Sequence, residues 1–205
     1  YKGNGIDYLL SFAGFFPVED LMTFDQNGSK LMGHPIRNLE LGIEVSSGSL
    51  GMALSQGVGI ALAIKKKRQT RKVFVILGDG ECQEGAIWEG AMSAAHYNLD
   101  NLIVIIDKNT LQYDGDTEEI MSLGNLKDKF QAFGFATQVI NGHNIDDLKE
   151  GFDKIETLEI GKPKAIIAHT IKGKCISFME NNKEWHNKAL TQELYQQAIV
   201  ELGEV

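Results

Sequence analysis

The stretch LGDGECQEGAIWEGAMSAAHYNLDNLIVIIDKNTLQYDG, from Leu77 to Gly115, contains two apolar runs that each end in a polar tip. The first run begins upstream as VFVI and ends in Gly-Asp-Gly, with Asp79 at the centre. The second run, LIVII, ends in Asp-Lys-Asn, with Asn109 last. Between them, Ala86–Tyr97 has the apolar spacing of a helix. Two strands joined by a helix form a parallel pair, so both tips are expected at the same end of one sheet.

Apolar strands and amphipathic helices alternate along the rest of the chain. The predicted helices are Asp7–Phe16, Ser49–Lys66, Ala86–Tyr97, Asn125–Phe133, Ile145–Leu158 and Thr191–Leu202, and the predicted strands are Val73–Leu77, Leu102–Asp107, Thr137–Ile140 and Lys164–His169. This order predicts an α/β fold: a doubly wound, mostly parallel sheet with helices on both faces. Residues 1–205 are expected to form a single domain, and the start at Tyr1, without an initiator Met, leaves open that upstream residues are missing.

Composition excludes several classes of protein. The chain has 205 residues, 43% of them hydrophobic and 23% charged, which is typical of a globular protein. A net charge of −8 argues against nucleic-acid binding, and the basic run Lys65–Lys72 is interpreted as a solvated loop. No apolar run is long enough to span a membrane. Cys82 and Cys175 are too few for a disulfide framework, so a cytoplasmic location is expected.

The two tips carry the chemistry of a metal site. Asp79 offers a carboxylate and Asn109 a neutral amide oxygen, both of which suit Mg²⁺. The glycines beside Asp79 let a ligand approach the backbone closely. A carboxylate here would repel a phosphate unless a cation lay between them, so the pair predicts a metal-bound diphosphate. The alternative is structural, because Gly-Asp-Gly alone is a common turn.

Longer segments around the tips carry a family resemblance. GIEVSSGSLGMALSQGVGIALA, GDGECQEGAIWEGAMSAAHYNLDNLI, IKGK and NNKEWHNKAL are similar to the amino-terminal half of transketolase. The chain resembles in particular the separately encoded N-terminal subunit of split, thiamine diphosphate-dependent transketolases. The similarity extends from about Lys2 to Leu202.

The resemblance implies a cofactor and its ligands. Asp79, Asn109 and the carbonyl of Leu111 would bind Mg²⁺ or Ca²⁺. Gly48 would contact the aminopyrimidine, and Leu50 would be the wedge that bends the cofactor, although a leucine would pack into a core in any fold. The residues implied for thiamine diphosphate binding are Asn4, Gly48, Ser49, Leu50, Gly78, Gly80, Glu81, Asn109, Lys172 and His186.

The resemblance also implies catalytic residues. His34 would bind the donor sugar, His186 would lie near the reacting centre, and Glu84 matches a buried glutamate that links the two active sites of a dimer. Each has a simpler interpretation: a loop histidine, a surface histidine and a helix-capping glutamate. His96 and His143 are interpreted as structural.

The family places the glutamate that activates the cofactor in a second, pyrimidine-binding half. The resemblance therefore implies a separately encoded C-terminal partner subunit, in a two-plus-two heterotetramer, acting on a sugar or sugar phosphate. A piece of a longer chain is the alternative. Asn4 replaces a family histidine, and Lys108, Asn187 and Leu190 are further departures, which leaves a modified sugar open as the substrate.

The function implied by the resemblance is transfer of a two-carbon ketol unit from a ketose to an aldose. Two alternatives remain at this point. One is a thiamine diphosphate-dependent decarboxylase or synthase that acts on a 2-oxo acid. The other is a transketolase-like interaction subunit without catalysis.

Overall fold

The computed structural model describes residues 4–203, and their side chains from residue 7 onward. The helices are α1 (Asn4–Phe12), α2 (Met52–Lys66), α3 (Gly85–His96), α4 (Thr117–Met121), α5 (Leu126–Ala132), α6 (Ile145–Thr157) and α7 (Gln192–Glu201), and the strands are β1 (Val73–Gly78), β2 (Leu102–Lys108), β3 (Ala136–Asn141) and β4 (Lys164–His169). Four short 3₁₀ helices lie between them, at Val18–Thr23, Leu39–Leu41, Gly80–Gln83 and Lys183–His186.

The strands form a parallel sheet in the order β1-β2-β4-β3. Its register sets the end at which the polar tips emerge. Gly78 at the end of β1 is paired with Asp107 near the end of β2, and Lys108 is paired with His169 at the end of β4. The carboxyl ends of β1, β2 and β4 therefore lie side by side.

Alternate residues of β2 enter two different cores. Leu102, Val104 and Ile106 belong to a cluster that includes side chains of α2, α3 and α5. Ile103 belongs to a second cluster, in which Ile155 of α6 packs against β3 and β4. Because successive side chains of a strand point to opposite faces, helices cover the sheet on both sides. The predicted α/β fold with a parallel, doubly covered sheet is confirmed.

Small residues let α2 lie close to the sheet. A Cβ added at Gly57 would lie 2.4 Å from the Val75 Cγ2 atom, so only glycine fits there without a shift. At Gly59, two residues along the same helix, an added Cβ would meet no atom within 4 Å. Gly57 thus allows the close approach of α2 to β1, whereas Gly59 faces open space.

The chain divides into two compact units, residues 1–52 and residues 53–205. The first is rich in loops and has its own core, made by Phe16, Leu31, Leu41 and Ile43. The second contains the whole sheet. The single domain predicted for residues 1–205 stays a prediction.

Two predicted helices have clearly different bounds in the structure, and one observed helix was not predicted. The first helix was expected to reach Phe16 but ends at Phe12, followed by Gly14 with φ of 85°. Helix α2 begins at Met52 instead of Ser49, because Gly51 has φ of 81° and cannot belong to a right-handed helix. Helix α4, only five residues long, was not predicted.

Candidate functional site

Asp79 joins the tips of β1 and β2 directly. Its side chain is only 2% exposed. One carboxylate oxygen, Oδ1, accepts a hydrogen bond from the Gly80 N–H at 2.9 Å. The other, Oδ2, accepts from the Thr110 N–H at 2.7 Å and from the Thr117 hydroxyl at 3.4 Å. The Asp79 N–H in turn donates to the Asp107 carbonyl at 3.2 Å, so the two tips are tied at both backbone and side chain.

The electrostatics of this carboxylate favour a bound cation. Burial raises the pKa of Asp79, and the nearby Asp107 carboxylate raises it further, while the hydrogen bonds from Thr110, Gly80 and Thr117 lower it. A positive charge would offset both effects that disfavour the ionised form. The hydrogen bonds therefore offset only part of what disfavours the ionised carboxylate.

Asn109 lies in a sharply turned loop after β2. Its Oδ1 accepts a hydrogen bond from the Leu111 N–H at 3.0 Å, and its Nδ2 donates to Asp107 Oδ2 at 3.3 Å. Between them, Thr110 has φ of 63°, which is a genuine outlier for a β-branched residue. Strain of this kind, on the order of 1–3 kcal/mol, is concentrated at functional sites. The turn aims the Thr110 N–H at Asp79.

The loop after β1 is held close to the loop after β2. The Gly78 N–H donates to Glu81 Oε2 at 3.2 Å. A Cβ added at Gly80 would lie 3.0 Å from the Gln112 Cβ, so a larger residue would push these loops apart. The buried Gln112 Oε1 has no hydrogen-bond partner among residues 4–203. A 3₁₀ turn at Gly80–Gln83 separates Asp79 from α3, which begins at Gly85, one residue before the predicted Ala86.

The segment near the carboxyl terminus packs against the loop after β2. The rings of His186 and Tyr113 meet edge to face, with centroids 5.7 Å apart. Lys183 Nζ donates to the Asp114 carbonyl at 2.8 Å. Lys172 is half-buried in the loop after β4. His143 Nε2 accepts from the Ile171 N–H at 2.7 Å, which fits the structural role expected for this histidine.

Four predicted site residues lie together in the unit of residues 1–52. Gly48 has φ of 148°, and an added Cβ would lie 2.9 Å from the Nδ1 atom of His34. His34 and Ser49 are exposed. Leu50 is 53% exposed. The alternative that Leu50 is an ordinary core leucine is wrong, because an apolar side chain with this exposure contributes little to a core.

Glu84 and Asn4 are two further predicted site residues. Glu84 lies at the N-cap of α3 but makes no capping hydrogen bond, so the capping interpretation is wrong. Its side chain is exposed, so the burial expected for it is not found within this chain. Asn4 belongs to α1, but its side chain lies outside the described residues.

The residues at the strand ends fit a hard divalent cation. Asp79 offers a carboxylate oxygen and Asn109 an amide oxygen, and the Leu111 carbonyl accepts no hydrogen bond from another described residue. These oxygen donors are the ligands preferred by Mg²⁺ and Ca²⁺. Among residues 4–203, no group of three or more His, Cys, Asp and Glu side chains could hold a metal. A cation would therefore depend on the amide and the backbone carbonyl beside Asp79.

Comparison with known proteins decides the family. Residues 5–204 match the family model described as the thiamine diphosphate binding domain of transketolase. The chain belongs to the transketolase family. It is 42% identical to one of the subunits of the apulose-4-phosphate transketolase of Phocaeicola vulgatus, covering 99% of this chain and 73% of that protein. It is 41% identical to the 6-deoxy-6-sulfo-D-fructose transketolase subunit SqwG of a Clostridium species, covering 98% and 74%.

Solved transketolases share the fold. The crystal structure of the Campylobacter jejuni enzyme matches with a TM-score of 0.88 and 31% identity, and that of Leishmania mexicana with 0.87 and 28%. Alignment covers 98% of this chain but only 33% of the Campylobacter chain. The predicted resemblance to a split-transketolase subunit is confirmed, since its named relatives are transketolase subunits. Within residues 4–203, no helix is both long and apolar enough to cross a bilayer.

Sequence reasoning missed several residues of this transketolase site. Asp107 lies inside the quoted Asp-Lys-Asn tip, so its position could have suggested a role. Thr110, Gln112 and Thr117 carry no comparable signal, because their contribution depends on the left-handed turn at Thr110. Thr170 follows β4, the strand next to β2, and its hydroxyl donates to the Asp107 carboxylate.

Proposed function

We propose that this chain is the diphosphate-binding subunit of a split transketolase, which moves a two-carbon ketol unit from a ketose to an aldose. Asp79, Asn109 and Leu111 would hold Mg²⁺ or Ca²⁺. Gly78, Gly80, Glu81 and Lys172 would contact the diphosphate of the cofactor. The observation that carries the proposal is the 2.7 Å hydrogen bond from the Thr110 N–H to Asp79, which brings the oxygen donors of two strand ends together.

When bound, thiamine diphosphate supplies the carbanion chemistry that ketol transfer requires. The residues of this chain would hold and orient the cofactor and the substrate. Gly48 and Leu50 would position the cofactor rings, because Gly48 exposes its backbone and Leu50 offers an exposed apolar side chain. His34 would hydrogen-bond the donor sugar, and His186 would lie near the reacting centre. We further propose a cytoplasmic enzyme, on the basis of two free cysteines.

A partner subunit would complete the enzyme. The relatives with the names quoted above are called subunits, which supports a separately encoded C-terminal partner that supplies the cofactor-activating glutamate. We propose a two-plus-two heterotetramer. Glu84 is exposed in this chain, as expected of a residue that becomes buried against a second chain.

The substrate class follows from the relatives and from the departures in sequence. One relative is named for apulose 4-phosphate and another for 6-deoxy-6-sulfo-D-fructose. Asn4 stands where the family has a histidine, and asparagine cannot become a cation at neutral pH. We therefore propose a ketose donor other than the common unmodified sugar phosphates.

The decisive experiment uses the native assembly, meaning the complex purified from its source under non-denaturing conditions. Mass spectrometry should find a chain of this sequence with a separate second polypeptide. Calorimetry should find saturable binding of thiamine diphosphate that requires Mg²⁺. A product assay should then detect ketol transfer from apulose 4-phosphate or 6-deoxy-6-sulfo-D-fructose in preference to an unmodified ketose phosphate, and no decarboxylation of pyruvate. Absence of cofactor binding would leave only an interaction subunit.

A further inference from the structure

We propose that Asp107 and Thr170 are positioning residues, which together orient the amide of Asn109 so that its oxygen faces the divalent cation. This inference rests on the proposed function, because it concerns how the same site orients one of its proposed metal ligands. Neither residue would bind the metal itself. Their effect would pass through Asn109.

Three segments converge on the Asp107 carboxylate. Asp107 lies near the end of β2, and Thr170 follows β4, the neighbouring strand. The Thr170 hydroxyl donates to Asp107 Oδ1, while the Asn109 Nδ2 donates to Asp107 Oδ2 at 3.3 Å. The Thr170 N–H also donates to the Lys108 carbonyl at 3.2 Å, which holds its backbone against β2. Each carboxylate oxygen therefore has one defined partner.

The chemistry of the two groups determines the orientation of the amide. An asparagine amide can rotate by half a turn with almost no change in shape, exchanging its oxygen and its NH₂ group. An ionised carboxylate only accepts hydrogen bonds, so the NH₂ group must face Asp107. The Asn109 oxygen then faces the other way, where it also accepts from the Leu111 N–H at 3.0 Å. A reversed amide would present N–H donors to the cation and could not bind it.

Thr170 stabilises this orientation of the Asn109 amide by holding the Asp107 carboxylate in place. Without its hydroxyl, the Asp107 carboxylate would lose the partner of Oδ1 and could rotate away from Asn109. Residues that orient metal ligands in this indirect way typically contribute about 10–100-fold to metal affinity. We expect an effect of that size from loss of the hydroxyl.

The test replaces Thr170 by valine in the native assembly. Mn²⁺ is the probe, and its affinity at saturating thiamine diphosphate is measured from the electron paramagnetic resonance signal of free Mn²⁺. We expect binding at least about 10-fold weaker in Thr170→Val. The Mg²⁺ concentration for half-maximal rate should rise by a similar factor, while kcat at saturating Mg²⁺ stays within about two-fold. Thr170→Ser keeps the hydroxyl and should behave as wild type.

Two further variants separate positioning from other effects. Thr137 of β3 is buried, whereas Thr170 is half-buried, and the Thr137 hydroxyl has no hydrogen-bond partner within residues 4–203. Thr137→Val therefore makes the same chemical change without breaking a bond. It should leave Mn²⁺ affinity unchanged. Asp107→Asn keeps the shape but accepts either amide orientation, and should also weaken Mn²⁺ binding. Because Thr170→Val leaves the charge of Asp107 intact, a loss in that variant cannot be an effect of net charge.

The outcomes distinguish this inference from the function on which it rests. If wild type binds Mn²⁺ but Thr170→Val and Asp107→Asn both match Thr137→Val, the positioning role is overturned and the proposed function stands. If wild type with thiamine diphosphate binds no Mn²⁺, the proposed metal site itself is overturned. Weaker binding in Thr170→Val, restored by Thr170→Ser, supports the inference.

Discussion

The strand ends after β1 and β2 and the loop of residues 34–50 hold their candidate site residues in opposite ways. At the strand ends, Asp79 is buried, and backbone and hydroxyl donors hold both of its oxygens. In the loop, His34, Ser49 and Leu50 are exposed. The first arrangement is organised before any ligand arrives, whereas the second presents side chains that a ligand or partner would cover. The comparison predicts that the strand ends bind the metal and the diphosphate, whereas the loop contacts the cofactor rings and the substrate.

The largest expected effect comes from removing the carboxylate at the strand ends. Asp79→Ala should weaken thiamine diphosphate binding in the presence of Mg²⁺ by about a thousand-fold, or about 4 kcal/mol. The variant loses the proposed metal ligand and leaves the Thr110 and Gly80 N–H groups without their acceptor. Calorimetry measures the affinity, and excess Mg²⁺ should restore it only in part.

Asp100→Ala is the matched control for this variant. Asp100 is exposed and forms an ion pair with Lys65 at 3.0 Å, which is worth about 1 kcal/mol or less. Cofactor affinity should not change in this variant. If Asp79→Ala bound the cofactor with wild-type affinity, the strand ends after β1 and β2 would not be the region that binds the diphosphate.

The second prediction compares two leucines that lie four residues apart. Leu54, fully buried in the core of α2, should cost about 3 kcal/mol of unfolding free energy when replaced by alanine. Leu50→Ala should cost about 0.5 kcal/mol or less, because its side chain is largely exposed. Denaturant titration measures both.

Leu50→Ala, unlike Leu54→Ala, should affect activity more than stability. In the native assembly, Leu50→Ala should lower kcat more than it lowers cofactor affinity, since the loss concerns the shape of the bound cofactor. A Leu50→Ala variant that is destabilised as strongly as Leu54→Ala would assign this residue to a core and remove it from the site.

The third prediction concerns Gly48 in the loop. Alanine there must adopt φ of 148° and place its Cβ against His34, so Gly48→Ala should cost about 1–2 kcal/mol of unfolding free energy. Gly33→Ala is the control, because an added Cβ there meets Asp25 at an ordinary 3.6 Å. Thermal unfolding of both variants measures the difference, and equal midpoints would show that the loop adjusts freely around His34.

The smallest expected effect is a pH dependence at Asp7. This carboxylate is buried, neither oxygen has a hydrogen-bond partner in the described part of the chain, and burial raises its pKa. A raised folded-state pKa means that stability falls as pH rises above the ordinary value of 3.8. Asp7→Asn should therefore be more stable than wild type at neutral pH, and this difference in unfolding free energy should shrink as pH falls toward 3.8.

The control for this prediction is Asp20→Asn, at an exposed aspartate of the same unit. Denaturant titrations across pH should give parallel curves for this variant and wild type. In metal-free protein, Asp79 contributes a pH dependence of the same sign, because its pKa is also raised. Parallel curves for Asp7→Asn and wild type would mean that Asp7 acquires a partner in solution.

The sheet could be predicted from sequence because its signals are local and strong. Strand β4 was predicted with its observed bounds, Lys164–His169, since six consecutive residues are apolar apart from the ends. Asp79 and Asn109 could be expected near each other because the carboxyl ends of neighbouring parallel strands meet. The expectation required only that β1 and β2 be adjacent, which they are.

The supporting network could not be predicted in the same way. The position of Thr110 depends on a left-handed turn that its residue type disfavours, so no propensity indicates it. Thr117 and Thr170 lie 38 and 63 residues from their carboxylate partners. Contacts of this length appear only once the fold has placed the loops together. Helix α4 was missed for a related reason, since five mostly polar residues show no periodicity.

The pairing of Gly78 with Asp107 sets the spacing of the proposed metal ligands. A slip of one residue between β1 and β2 would move one tip by about 3.3 Å relative to the other and turn its side chains to the opposite face. The spacing of the oxygen donors is thus fixed by the ladder of the sheet and is inherited from folding itself. The loops proposed to contact the sugar can therefore differ in sequence while the spacing of the proposed cation ligands stays constant.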